Sequence, residues 1–195
     1  MEYYELGIYK DMLRNAFSGS EDIVSLIMPA PENPQLSLRD NFLGGDFDIT
    51  KTDDTGSTHT EHVVLEGYCQ DRPFPCAAYA DHRNLLCIES YMSKGDGRAS
   101  REITLQIYVM IHKDAVRLTA SELDHFLPKG YTGNRCDAVV QAIGRLLGPG
   151  NTGTNIIKLT PAAKDPVAPF TENKEYCGKL LTYICTDFIP CTRSR

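Results

Sequence analysis

The chain has 195 residues, 42% of them hydrophobic and 24% charged, and its formal net charge is -6 at pH 7. This length suits a single domain with a sizeable core, and the composition is ordinary for a soluble globular protein. The acidic balance excludes a broad surface that neutralises nucleic-acid phosphates, because such a surface needs clustered Lys and Arg. No run approaches the roughly 18 consecutive apolar residues of a membrane span, and the start lacks a leader pattern, so we expect a cytoplasmic origin and no membrane contact.

Two helices are predicted at the start of the chain, followed by a polar insertion. Between residues 3 and 17 apolar side chains recur at helical spacing. Ser20 then precedes a mostly apolar run that Pro29 stops, which is the pattern of a short N-capped helix. Residues 29–65 are rich in Pro, Asn, Asp, Gly, Ser and Thr. This composition predicts a polar loop insertion with one helical turn at residues 37–42.

Strands are predicted in the middle and at the end of the chain. Residues 103–111 alternate strictly between aliphatic and other side chains, and residues 180–188 alternate in a similar way. A period of two places alternate side chains on opposite faces, so both segments read as strands of a sheet. The glycine-containing residues 93–101 then predict a protruding hairpin loop. Further short strands are predicted at residues 62–65, 75–80, 85–92 and 156–159.

Two more helices are predicted in the second half. Thr119 and Glu122 open a short helix that Pro128 ends, and Asn134 with Asp137 caps a longer helix that glycines terminate. The remaining segments are a loop at residues 160–175 and a C-terminal arm at residues 189–195. Helices alternating with strands of this kind predict one α+β domain, with a mainly antiparallel sheet covered by helices.

Four side chains of types that bind zinc follow one another along the chain: His59, His62, Cys69 and Cys76. Structural zinc sites usually close each half of the tetrahedron with a closely spaced pair of ligands, and only the two histidines have that spacing. We therefore expect histidines in a polar loop beside a strand, and no bound metal. A zinc- or thiol-dependent enzyme that uses this region is the alternative.

Other patterns also argue against catalysis. The acidic residues between 46 and 54 lack the spacing of a calcium loop. Cys136, with His112 or His125 as a conceivable base, lies on the apolar face of a capped helix, which favours a core cysteine. The glycines of residues 144–155 follow a helix, whereas the glycines of a phosphate loop precede one. The odd count of seven cysteines favours free thiols. We expect no catalytic residue and no cofactor.

The clearest local excess of positive charge lies at the predicted hairpin tip. It consists of Lys94, Arg98 and Arg101, interrupted by Asp96. Such a tip is either a solvated loop or an electrostatic contact with an acidic neighbour, for which another copy of this acidic chain qualifies. We predict these three cations as the candidate subunit interface.

Four segments follow the N-terminal helix in a fixed order: FPCAAY at 74–79, EITLQIYV at 102–109, KGYTGNR at 129–135 and LLTYICTDF at 180–188. This order of strands and helix resembles the tail-terminator and tail-completion proteins at the neck of long-tailed bacteriophages. The likeness covers residues 3–17 and about 73–188. The insertion at residues 29–65 and the tail beyond residue 188 have no counterpart in compact terminators, so the chain is either a terminator or an adjacent connector.

The resemblance implies a structural protein of the virion that is assembled in the host cytoplasm, not an enzyme. Members form homo-oligomeric rings, commonly hexameric, that cap the tail tube and meet the head connector. DNA passes through such a ring without sequence-specific binding, and a negative lumen suits that passage. A baseplate adaptor that binds a partner without closing a ring is a further alternative.

Overall fold

The computed structural model describes residues 4–71, 83–95, 100–127, 133–148, 159–162, 167–170 and 174–188. Its helices are α1 (Tyr4–Ser18), α2 (Glu21–Ile27), α3 (Leu38–Leu43), α4 (Ala120–Phe126) and α5 (Arg135–Leu147). Its strands are β1 (Gly45–Thr52), β2 (Thr58–Leu65), β3 (Cys69–Gln70), β4 (Leu85–Gly95), β5 (Ser100–His112), β6 (Leu159–Pro161), β7 (Val167–Phe170) and β8 (Tyr176–Phe188). The predicted α+β class is confirmed.

Within the described residues the main sheet has six strands, in the order β3-β4-β5-β8-β6, and β7 also pairs with β8. The pairs β4–β5, β5–β8, β6–β8 and β7–β8 are antiparallel, and the short β3 runs parallel to β4. A mainly antiparallel sheet was predicted, and this is confirmed. β1 and β2 form a separate two-stranded sheet.

Helices cover one face of the main sheet. The residues of β5 that point to this face are all buried, as the alternation predicts: Ile103, Leu105, Ile107, Val109 and Ile111. They share one core with the apolar side chains of α1, α2 and α5. On β8 the buried partners are Leu181, Tyr183 and Cys185, which lie opposite Ile107, Leu105 and Ile103 in register. The pairing register therefore places the apolar faces of β5 and β8 on the same side of the sheet.

Side-chain caps begin four of the helices, because the first backbone N–H groups of a helix lack intrahelical partners. Ser20 accepts from Ile23 N at the start of α2, and Ser37 accepts from Asp40 N at the start of α3. Thr119 and Asn134 form reciprocal capping boxes at α4 and α5. The predicted helix starts at Ser20, Thr119 and Asn134 are confirmed.

A buried arginine ties the helical layer together. Arg135 Nη2 lies 2.7 Å from Glu122 Oε1 on α4, and Arg135 Nε donates to Ala115 O over 2.8 Å. Its Nη1 donates to Leu26 O at the end of α2, over 3.4 Å. One guanidinium thus joins α2, α4 and the segment that precedes α4.

In residues 29–65, α3 lies where one helical turn was predicted, but the β1–β2 hairpin replaces much of the predicted polar loop. Strand pairing also extends β4 to Gly95 and β5 back to Ser100, so the predicted loop at residues 93–101 is shorter. Residues 160–175 include the end of β6 and all of β7, and β8 begins at Tyr176 rather than at residue 180. The predicted strand at 75–80 and the arm at 189–195 lie outside the described residues. Within the described part of the chain, no helix combines the length and apolar character that a membrane span requires.

Candidate functional site: an acidic hairpin

The β1–β2 hairpin has one face that is exposed from end to end. Its strands pair without a break from Gly45 opposite Leu65 to Thr52 opposite Thr58. On the face that points towards the protein only Ile49 is buried, with 6% of its surface exposed. The opposite face is exposed throughout and is called the outer face of the hairpin: it consists of Asp46, Asp48, Thr50, Thr60, His62 and Val64.

The base of the hairpin is fixed by close backbone contacts. Gly44 has a φ of 70°, and a Cβ atom there would lie 2.2 Å from the backbone nitrogen of Gly67. Only glycine allows this approach, because any side chain would overlap the facing backbone. Arg14 on α1 donates to Leu43 O over 2.9 Å and to Cys69 O over 3.2 Å, on both sides of the hairpin. The strands therefore leave the helical layer in a defined direction.

The turn at the far end is closed by one aspartate. Asp53 Oδ1 accepts hydrogen bonds from the backbone N–H groups of Thr55 and Ser57, both at 2.9 Å, and from Thr55 Oγ1 at 2.6 Å. These bonds, that of the Thr55 side chain first, lower the pKa of Asp53, because they favour the charged carboxylate. Gly56 takes a φ of 84° in the same turn. The carboxylate of Asp53 is thus used for local structure.

Charge is concentrated on this element. Residues 45–66 hold six carboxylates and one lysine, a net charge of -5, whereas the whole chain has -6. The lysine, Lys51, forms an ion pair with Glu61. On the outer face His62 Nδ1 lies 2.9 Å from Asp48 Oδ1. This hydrogen bond, together with the charges of Asp48 and Asp46, raises the pKa of His62.

An exposed apolar residue interrupts the acidic outer face. Val64 is 65% exposed and lies directly opposite Asp46. Singly scattered apolar residues are normal on a solvated surface, so Val64 by itself does not identify an interface. The outer face thus combines a row of polar and acidic side chains with one exposed aliphatic side chain.

The three predicted interface cations fall elsewhere. Lys94 lies near the end of β4, opposite Glu102 in register, and Arg101 lies opposite Asp187 of β8. Arg98 lies outside the described residues. The sheet register thus gives two of the three cations a carboxylate-bearing cross-strand neighbour, a relation that sequence spacing did not reveal. Whether the tip forms an interface stays a prediction.

The structure describes three of the four side chains of the zinc alternative, His59, His62 and Cys69, and it does not bring them together. His59 and His62 are three positions apart on β2, so they point to opposite faces of the hairpin. Cys69 lies on β3 and is fully buried, and burial raises the pKa of its thiol. Cys76 lies outside the described residues. Within the described ranges, no three His, Cys, Asp or Glu side chains are grouped in a way that could hold a metal ion.

The conceivable thiol–histidine pair is also separated. Cys136 is fully buried near the start of α5 and has Cys177 as a neighbour. His112 ends β5, is 2% exposed and packs edge-on against Tyr176. His125 lies on α4, with its Nε2 3.8 Å from Asp22 Oδ1. Cys136, His112 and His125 thus have different neighbours, which are Cys177, Tyr176 and Asp22 respectively.

A groove of about 400 Å³ lies beside the hairpin and is lined by Lys51 and residues 32–35. It contains one carboxylate, Glu32, and no thiol or imidazole. General acid–base or nucleophilic chemistry normally needs a positioned group together with an orienting partner. The groove supplies no such pair.

The β1 half of the candidate site was missed by sequence reasoning, although a signal was present. Phe47, Ile49 and Lys51 alternate with polar residues at a period of two, and a turn of Asp, Thr and Gly follows them.

Comparison of the chain with protein-family models, with curated proteins and with solved structures found no match.

Proposed function

We propose that the chain is a structural subunit of the neck of a long-tailed bacteriophage. It acts as a tail terminator or as a head-to-tail connector, in a homo-oligomeric ring that joins the tail tube to the head connector. It is not an enzyme. The observation that carries the proposal is the β1–β2 hairpin, which is anchored at its base and fully exposed on its outer face.

A hairpin of two strands is only marginally stable in water unless it packs on something else. Here only Ile49 is buried, while Val64 is exposed next to a row of acids and threonines. A neighbouring subunit that covers the outer face would supply the missing contacts. Rings provide such a neighbour at every position, because each copy offers one surface and receives another.

The charge distribution supports a head-to-tail contact. The acidic hairpin of one copy can meet the cationic tip of the next, formed by Lys94, Arg98 and Arg101. Two different patches that complement each other generate a closed ring when the rotation between copies closes. The acidic balance of the chain also favours free passage of DNA without sequence-specific binding.

The ring can be tested by removing the hairpin. Gly45 and Leu65 are cross-strand partners, so residues 46–64 can be replaced by a two-glycine bridge without separating the ends. The intact chain should form rings in native mass spectrometry and electron microscopy. The bridged variant should keep its thermal unfolding transition and remain monomeric. Rings of the bridged variant, or an intact chain that stays monomeric, would contradict the proposal.

Charge reversal tests the contact itself. The proposal requires that Lys94→Glu with Arg98→Glu leaves the subunit folded, which its thermal unfolding transition checks. Assembly should fail in a salt-dependent way, because like charges across an interface cost several kcal/mol. Adding Asp46→Lys and Asp48→Lys should restore assembly. Arg117→Glu, at an exposed position elsewhere, is the matched control. Normal assembly of the first double variant would remove the tip from the interface.

Two alternatives are separated by simple measurements. A zinc- or thiol-dependent enzyme around His59, His62, Cys69 and Cys76 requires one equivalent of tightly held metal, or a reactive thiol, in the purified protein. Elemental analysis combined with His62→Ala tests the metal. A baseplate adaptor would bind a partner but give no closed ring in native mass spectrometry.

A further inference from the structure

Two cysteines meet where α5 begins and β8 begins. Asn134 Nδ2 lies 4.0 Å from Cys177 Sγ, and Lys179 Nζ lies 3.7 Å from Asp137 Oδ1. Asn134 and Asp137 flank Cys136 in sequence, and Cys177 and Lys179 are next-but-one neighbours on the same face of β8. The side chains of Cys136 and Cys177 are themselves within hydrogen-bonding distance of each other, and the two flanking contacts bring α5 and β8 together at this point.

The two thiols differ in access to solvent. Cys136 is fully buried, whereas Cys177 is half-buried and packs at the margin of the same core. Burial and, after it, the neighbouring Cys177 raise the pKa of Cys136. Both side chains are thiols in the structure. Cys177 is thus the more exposed of the two cysteines, and Cys136 lies deeper in the core.

We propose that Cys136 and Cys177 form a dithiol site that closes to an intramolecular disulfide when the protein meets a disulfide oxidant such as oxidised glutathione. The Cys177 thiolate attacks one sulfur of the oxidant, which forms a mixed disulfide and releases one glutathione thiolate. The Cys136 thiolate then attacks Cys177 Sγ, which forms the Cys136–Cys177 bond and releases the second glutathione. Two protein thiols are oxidised, one glutathione disulfide is reduced, and the two thiol protons go to the glutathione thiolates.

The difference in exposure favours this order of events. Cys177 is half-buried, and its sulfur lies at hydrogen-bonding distance from the Asn134 amide. The oxidant therefore meets Cys177 first. Cys136 lies deeper, where an oxidant as large as glutathione has no access, so it acts as the second thiol.

The bond would join the long helix to the closing strand of the sheet. It closes a loop of about 40 residues, and such a cross-link restricts the unfolded chain. In the reducing cytoplasm the two cysteines stay reduced, whereas outside the cell they form the disulfide. This inference is independent of the proposed neck function, because it concerns one subunit only.

Peptide mapping tests the site directly. Trypsin cleavage places Cys136 in the peptide 136–145 and Cys177 in the peptide 175–179, each without another cysteine. Wild-type protein incubated with oxidised glutathione, then alkylated and digested without reduction, should yield these two peptides as one disulfide-linked species. The intact mass should fall by two hydrogens. The melting temperature should rise by about 5 °C and return to its first value after reduction.

The variants assign the reaction to its two thiols. Cys177→Ser should give neither the linked peptide nor the rise in melting temperature, while Cys191→Ser should give both. Alkylation of both wild-type peptides as separate thiols would overturn the inference. So would glutathione retained on Cys177, or peptide 136–145 linked to a different cysteine.

Discussion

The main sheet and the β1–β2 hairpin are both antiparallel, but they are held in place in different ways. The main sheet buries the apolar face of β5 and much of that of β8 under three helices, so its register is set by these side chains. The hairpin buries one residue, Ile49, and is positioned by the contacts of Gly44, Gly67 and Arg14 at its base. The first region is stable because of what it buries, and the second because of where it is attached.

This difference separates folding from assembly. A substitution in the main sheet should change the free energy of unfolding of the subunit. A substitution on the outer face of the hairpin should change assembly and leave unfolding nearly unaltered.

The largest effect is expected on the buried face of β5. Replacing Leu105 or Ile107 with Asp places an unpaired carboxylate in the core, which costs several kcal/mol, on the order of the whole stability of a domain. These variants should not fold, as judged by circular dichroism and solubility. Tyr91→Asp is the control, because Tyr91 lies on β4 with 44% of its surface exposed. Folded, soluble variants at both core positions would refute the burial of this face.

The Arg135–Glu122 pair should give the next largest effect. Arg135→Ala removes one partner of the Glu122 carboxylate, which keeps its bonds to Thr119, and takes a donor from Ala115 O and Leu26 O. Because the Glu122 side chain is 28% exposed, we expect a loss of about 2–3 kcal/mol, the range for hydrogen bonds to a charged group. Urea unfolding measures this loss. The double variant Arg135→Met with Glu122→Leu should regain much of it, since the orphaned charge is removed. If Arg135→Ala alone is neutral, the arginine does not hold the helices together.

The same pair predicts a dependence of stability on pH. Burial alone would raise the pKa of Glu122, but hydrogen bonds from Thr119 and Arg135 outweigh it, and the pKa is lowered overall. The pair therefore stabilises the fold above the unfolded-state pKa, and this contribution is lost as pH falls through the lower folded-state pKa. Glu122→Gln should be less sensitive to acid below about pH 4.5 than the wild type. Parallel acid-unfolding curves for the two proteins would contradict this.

The base of the hairpin offers a matched pair of glycines. A Cβ atom on Gly67 would lie 2.2 Å from the backbone carbon of Leu43, whereas one on Gly144 of α5 would meet nothing within 4 Å. Gly67→Ala should destabilise the protein by about 2–3 kcal/mol, and Gly144→Ala should stabilise it by up to about 1 kcal/mol, because alanine favours the helix. Thermal unfolding gives both values. Equal effects of the two substitutions on the free energy of unfolding would mean that Gly67 does not stay close to the backbone of Leu43 in solution.

The smallest effect concerns the exposed His62–Asp48 pair. The contribution of this pair to the free energy of unfolding is fully present below the unfolded-state pKa of His62. It is lost as pH rises through the raised folded-state pKa. Nuclear magnetic resonance titration should show a pKa above 6.5 for His62. Asp48→Asn should lower it, and Asp46→Asn should lower it less, since Asp46 acts only through its charge. An unchanged His62 titration in Asp48→Asn would show that the hydrogen bond does not form in solution.

Features that depend on residues close together in sequence were predictable, and features that depend on distant residues were not. The caps at Ser20, Thr119 and Asn134 and the alternation of residues 103–111 are local patterns, and each matches the structure. β1 was missed because its polar residues lie on an exposed outer face, so its composition resembles that of a loop.

The long-range contacts have no signature in sequence spacing. Arg135 reaches Leu26 O across more than a hundred positions, and Cys136 meets Cys177 across a loop that contains β6 and β7. Likewise, the register that places Glu102 opposite Lys94 follows from the pairing of whole strands. Such neighbours become visible only when the sheet is built.

The position of β8 has a consequence for biosynthesis. This strand pairs with β5 along its whole length and carries β6 and β7 on its other edge, yet it follows all of them in the chain. During translation the β4–β5 hairpin must therefore wait, with one edge of β5 unpaired, until residues 176–188 have left the ribosome. Unpaired strand edges promote aggregation of nascent chains. The yield of folded protein should consequently depend on translation rate and chaperone supply, through the interval between synthesis of β5 and release of β8.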